Sequence, residues 1–179
     1  GQRHDVDVLT TTARDSRTWA NAAAEGVDRV RGVLVRRFAV SETHEATEHA
    51  RLTSRLLQQP PVRAHQLEWV RKLGPWSPAL VDYLKRHHRT YDALVFFSLW
   101  HPTTVEGLAI APERSILFPH LQLRPELRFD VWSDVVAAPR ALGYFSETER
   151  RLVHEYVRTS PPYEELVGIG VEAPHEQSY

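Results

Sequence analysis

The chain has 179 residues, 42% of them apolar and 25% charged, with a net charge of -1. That is enough for one soluble domain with a sizeable core, and nothing in the charge balance suggests a general polyanion binder. No run is long and apolar enough to span a membrane, no signal peptide is recognisable, and the absence of cysteine excludes disulfides, thiolate metal sites and a thiol nucleophile.

The first predicted element is a strand over Asp5–Thr10, ending in a run of threonines. A second strand follows in "GVLVRRFAV", with Val33, Val35 and Val40 apolar and the arginines on its solvent side. Residues 42–59 read as a helix with Ala46, Ala50 and Leu57 near one face, ended by Pro60 and Pro61. Residues 63–73 read as another, with Leu67, Val70 and Leu73 about a turn apart. A third starts at "SPALV", where Ser77 suits the N-cap and Pro78 the first helical position.

Ala93–Ser98 is apolar on both faces, as a buried parallel strand is. Residues 114–120 and 139–146 give two more such strands. Ser146 and Glu149 form a capping box for a helix running to about Arg158, and residues 165–174 form a last strand before a polar tail. The order is that of an α/β fold with a doubly wound, mostly parallel sheet.

"HEATEH" is one residue too long for the zinc-protease pattern H-E-x-x-H. His44 and His49 fall roughly 140° apart on one helix and would not share a metal; no metal site is expected. No glycine-rich phosphate loop and no G-x-S-x-G element is present. What stands out is a rim. Parallel sheets bind ligands at the carboxyl ends of their strands, and several strand ends here carry polar or aromatic groups. They are Thr11, Thr12, Arg14 and Trp19 after the first strand, Trp100 and His101 after the 93–98 strand, and His120, Gln122 and Arg124 after the 114–120 strand. Ser146 lies at the same edge but is read as a cap.

The segments "HDVDVLTTTARDSRTWAN", "GVLVRRFAV", "YDALVFFSLWHPTTVEGL" and "RALGYFSETERRLV" resemble the N-terminal domain of bacterial group 1 glycosyltransferases, the GT4 family with the GT-B fold. The resemblance implies a single Rossmann-like, acceptor-side domain over residues 1–172. Residues 173–179 would lead toward a C-terminal domain that binds the donor. In the family a first strand, a glycine-rich loop and a helix precede the strand at Asp5–Leu9, so the chain is expected to lack its first β-α unit. The absence of methionine fits a natural start ahead of Gly1.

The implied activity is transfer of a sugar from a nucleotide-diphosphate sugar to an acceptor, with retention, no cofactor beyond the donor substrate, and a cytoplasmic or membrane-peripheral location. The nine rim residues named above then become candidates for acceptor binding, without an assignable catalytic group. The expected partners are the acceptor, the nucleotide sugar, and the missing C-terminal domain or a partner chain; no nucleic acid is expected. Gln122 stands where relatives carry a histidine, with His120 displaced; glutamine hydrogen-bonds but does not change charge near neutral pH. Glu147 and Glu155 have the spacing of the family's E-x7-E motif, which belongs to the second domain, and are read as coincidence. The alternative is a non-catalytic interaction domain derived from a transferase half.

Overall fold

The computed structural model describes residues 4–157, 159 and 163–170. Its strands are β1 (Asp7–Thr11), β2 (Gly26–Val30), β3 (Val33–Phe38), β4 (Leu94–Phe97), β5 (Ser115–Phe118), β6 (Ala141–Tyr144) and β7 (Tyr163–Leu166). Its helices are α1 (Ala46–Gln58), α2 (Arg63–Leu73), α3 (Pro78–His87), α4 (Pro102–Leu108), α5 (Val131–Ala137) and α6 (Glu147–Leu152). The strands form two sheets. One is all parallel, in the order β4-β5-β6-β7; the other is β1-β3-β2, with β1 parallel to β3 and β2 antiparallel.

The parallel neighbours β4, β5 and β6 and the flanking helices agree with a Rossmann-like α/β reading of the sequence. In β4-β5-β6-β7 each strand steps the same way, so right-handed crossovers put every connecting helix on one face. The register sets Leu94 beside Ser115, Phe96 beside Leu117, and Leu117 beside Leu142. On that face lies the main core, where α1, α2, α4, α5 and the turn after α6 bring Leu52, Leu56, Trp69, Leu108, Trp132 and Val153 against Leu117, Leu142 and Tyr144. Gln66 is buried in this core, and its side-chain oxygen accepts from the Val131 amide at 3.0 Å, satisfying a free N–H at the start of α5.

Several elements differ from the sequence reading. β2 is an additional strand: "GVDRV" has few apolar residues, and it is held by a tight turn with Arg31 at φ 50° and Gly32 at φ 84°, both left-handed, as a hairpin between right-twisted strands requires. The arginines of β3 do not share a solvent face. Arg36 lies over the Tyr83 ring of α3 at 5.2 Å, and Arg37 reaches Asp28 on β2.

α1 starts at Ala46, and its buried residues are Leu52 and Leu56, whereas Leu57 is exposed. α2 has the expected bounds but buries Gln66, Trp69 and Val70 and exposes Leu67. β4 is not buried on both faces: Val95 is 49% and Phe97 59% exposed. α6 ends at Leu152 and continues as a π-type turn over Val153–Val157, and β7 starts at Tyr163 and ends at Leu166. Arg158 and residues 171–179, where the helix end and the last strand were also expected, lie outside the described residues.

Candidate functional site at the strand ends

Among the described residues, four that are not glycine adopt a left-handed backbone: Trp19, Arg31, Ser98 and His120. Arg31 is explained by its hairpin. The other three follow the carboxyl ends of β1, β4 and β5. An L-residue held there costs about 1–2 kcal/mol, and such strain concentrates at functional sites.

The path of each segment has a local cause. Beyond β4, Ser98 N–H donates to the Phe118 carbonyl at 2.9 Å and Leu99 N–H to the Pro119 carbonyl at 2.8 Å, which locks the loop after β4 to the loop after β5. After β1 the chain is held by a small network. Thr12 Oγ1 donates to Asn21 Oδ1 at 2.5 Å; Asn21 Oδ1 also accepts from Val40 N–H at 2.8 Å, and Asn21 Nδ2 donates to the Val40 carbonyl at 2.9 Å. Asp15 accepts from the amides of Arg17 and Thr18 and from the Thr18 hydroxyl, and these bonds hold its carboxyl below the usual range.

Trp19 is the hinge of the rim. Its Nε1–H donates to the Leu73 carbonyl at 2.8 Å, and its ring meets the His101 ring edge-on at 5.7 Å. The indole lies against Gly74, where an added Cβ would stand 2.5 Å from its Cδ1, and Gly74 itself has φ 72°. His101 Nδ1 is 3.1 Å from the Gly74 carbonyl. A carbonyl only accepts, so Nδ1 carries the proton and Nε2 is left as an acceptor. Burial lowers the pKa of His101; the Gly74 bond opposes this, and the charge of His120 adds to the lowering. His101 is therefore a neutral imidazole near neutral pH.

Of the nine candidate residues, the structure brings Trp19 and His101 into contact, with His120 close enough to act on His101 electrostatically. Arg124, from the β5 loop, meets a different candidate: its guanidinium is 5.5 Å from the centre of the Trp100 ring. Two candidates are turned inward. Thr12 is buried and occupied by Asn21, and Trp100 packs edge-on against Trp69 and Trp132 in the core, so neither offers a free face. Thr11 ends β1, while Arg14 and Gln122 are exposed.

The sequence reading missed two contributors. Gly74 is the platform for Trp19, and its only sequence signal is the "GPWSP" turn. Glu149 is 4% exposed; one carboxylate oxygen accepts from Leu121 N–H at 3.1 Å and the other from Phe145 N–H at 2.8 Å. It ties the loop after β5, beside His120, to the end of β6. The capping box signalled the residue but not its reach across the rim.

A second polar cluster adjoins the rim. His44 lies ahead of α1, not on it, so the separation expected for two residues of one helix does not apply. The rings of His44 and His49 are 5.2 Å apart, and His44 Nδ1 bonds the Lys72 carbonyl at 3.0 Å. Both line a small cavity with Trp19, Lys72 and Gly74. Among the described residues no group of three or more His, Cys, Asp or Glu is placed to hold a metal.

The fold and its rim define a class, a Rossmann-like α/β protein with its polar groups gathered at the carboxyl edge of the sheet. No protein-family model, no curated protein and no solved structure matches the chain.

Proposed function

We propose that the rim around Trp19, His101, His120 and Arg124 binds the sugar acceptor of a retaining glycosyltransferase, whose nucleotide-sugar donor binds on another domain. The observation that carries this reading is the set of three left-handed residues, Trp19, Ser98 and His120, in the segments that follow β1, β4 and β5. Its second support is the chemistry gathered there. The half-buried Trp19 indole offers a ring surface on which the C–H face of a sugar can stack. The neutral imidazole of His101 accepts a hydrogen bond from a sugar hydroxyl at Nε2. Arg124 offers a cation to a phosphate or carboxylate.

Two outcomes test the proposal. The 179-residue chain alone shows no turnover of a nucleotide sugar. In the complete natural protein, Trp19→Ala raises the acceptor KM about 10-fold or more while the donor KM stays within a factor of about two, the loss of one stacking contact. Transfer by the isolated chain would sink the division of labour, and a rise confined to the donor KM would sink the role of the rim.

A further inference from the structure

The first histidine of "HEATEH" has a place in the molecule that its sequence did not suggest. Residues 40–44 are bonded to two other segments. Toward the loop after β1, Asn21 bonds both the amide and the carbonyl of Val40, and the Thr18 carbonyl accepts from His44 N–H at 2.8 Å. Toward the end of α2, the Trp76 carbonyl accepts from Ser41 N–H at 2.9 Å, and the Lys72 carbonyl accepts from His44 Nδ1 at 3.0 Å. A carbonyl only accepts, so His44 Nδ1 carries a proton.

His44 thus holds the residue before Trp19 through its backbone and the residue before Leu73 through its side chain. Trp19 Nε1–H and the Leu73 carbonyl are themselves bonded at 2.8 Å. The bonds close a ring, from Thr18 to Trp19, across to Leu73, back to Lys72, across to His44 and back to Thr18. A single bond between the loop and the helix end would act as a pivot. Two bonds side by side fix the angle between them.

The end of α2 needs such partners. α1 and α3 close with a cap amide that bonds back to the last turn. In α2 the residue after the Gly74 cap is Pro75, which has no N–H to give. Its last carbonyls are taken by aromatic side chains from three segments: Lys72 by His44, Leu73 by Trp19 and Gly74 by His101. Trp19 and His101 are the rim pair in ring contact. His44 is the third donor at the same helix end, backed by the His49 ring at 5.2 Å, which in turn lies 5.0 Å from Trp69.

We propose that His44 is a positioning residue for the rim: by holding Thr18 and Lys72 together it sets the Trp19 indole where it meets His101 and the sugar acceptor. The placing of Trp19 rests on the bonds; its consequence for acceptor binding rests on the function proposed above.

The experiment compares His44→Phe with His44→Asn in the 179-residue chain. Phenylalanine keeps a ring beside His49 but cannot donate, whereas an asparagine side-chain N–H can replace Nδ1–H. The readout is hydrogen exchange of the indole N–H groups. In His44→Phe the Trp19 indole exchanges about 10-fold or more faster than in the parent, and in His44→Asn within about 3-fold of it. The Trp132 indole, which donates to the Glu126 carbonyl in the core, changes far less in both. A Trp19 rate unmoved in His44→Phe overturns the proposal. So does equal acceleration of Trp19 and Trp132, the mark of a residue that serves stability only, and so does a failure of asparagine to restore the Trp19 rate. Should His44→Phe not fold, His44→Ala is read against His44→Asn in the same way. Hexoses and hexose phosphates are then titrated into all three proteins. A sugar that binds the parent binds His44→Phe about 5-fold or more weakly and regains its affinity in His44→Asn. Exchange as expected with no sugar bound by the parent defeats the acceptor reading and leaves the placing of Trp19 standing.

Discussion

Gly74 and Trp19 show how closely the site depends on single side chains. The indole occupies the space a Cβ would need at Gly74, whose backbone is also left-handed. Gly74→Ala therefore displaces Trp19 and breaks its bond to the Leu73 carbonyl. The expected result is a loss of about 1–3 kcal/mol in urea unfolding and a shift of the Trp19 indole resonance, with the other four indoles little changed. His49 is the residue to watch on acidification. Its pKa is pushed down to about 4, by burial first and then by the charge of His44. A histidine with a depressed folded pKa favours the fold above its unfolded value near 6.5, and that contribution is lost as pH falls from about 6.5 to 4. Discounted for partial exposure, it amounts to about 1–2 kcal/mol. Thermal unfolding of His49→Phe, which keeps a ring against Trp69, should fall less steeply over that window than the parent; parallel curves would show that His49 is not the titrating group. Neither residue's importance was readable from the sequence: Gly74 depends on the distant Trp19, and His49 on burial against the distant Trp69 as well as on its neighbour His44.

Elements were legible where a local rule fixes them. Ser77 accepts from the Leu80 amide and Pro78 opens α3, as a cap followed by proline predicts. Ser146 accepts from the Glu149 amide at 3.2 Å, as its capping box predicts. The same box also misled, because Glu149 reaches Phe145 and Leu121 and so belongs as much to the β5 loop as to α6. Glu149→Ala leaves both amides without their acceptor. It should cost about 2–4 kcal/mol, against about 1 kcal/mol for Ser146→Ala, and equal losses would mean that Glu149 serves as a cap only. β2 was invisible because "GVDRV" draws its stability from pairing with β3 and not from burial. The start of α1 was misplaced because "SETHE" is as polar as an exposed helix face. The two-histidine cluster was lost with it.

Across the whole molecule, the parallel neighbours β4, β5 and β6 were readable as apolar runs between helices. The uncovered face of β4 was not, since Val95 and Phe97 look like core residues in any one-dimensional reading. The rim was readable as a set of strand ends and not as a contact map: Trp100 and Thr12 turned inward, while Trp19 and His101 met. The claim that this rim is a sugar-binding edge is tested most directly by titrating the isotope-labelled chain and following the Trp19 indole and His101 ring resonances. The ligands are neutral hexoses, hexose phosphates and a nucleoside diphosphate. The account predicts saturable shifts of both residues with at least one hexose or hexose phosphate, abolished in Trp19→Ala, and none with the nucleoside diphosphate. Resonances unmoved by every sugar at millimolar concentration, or moved by the nucleotide alone, would contradict it.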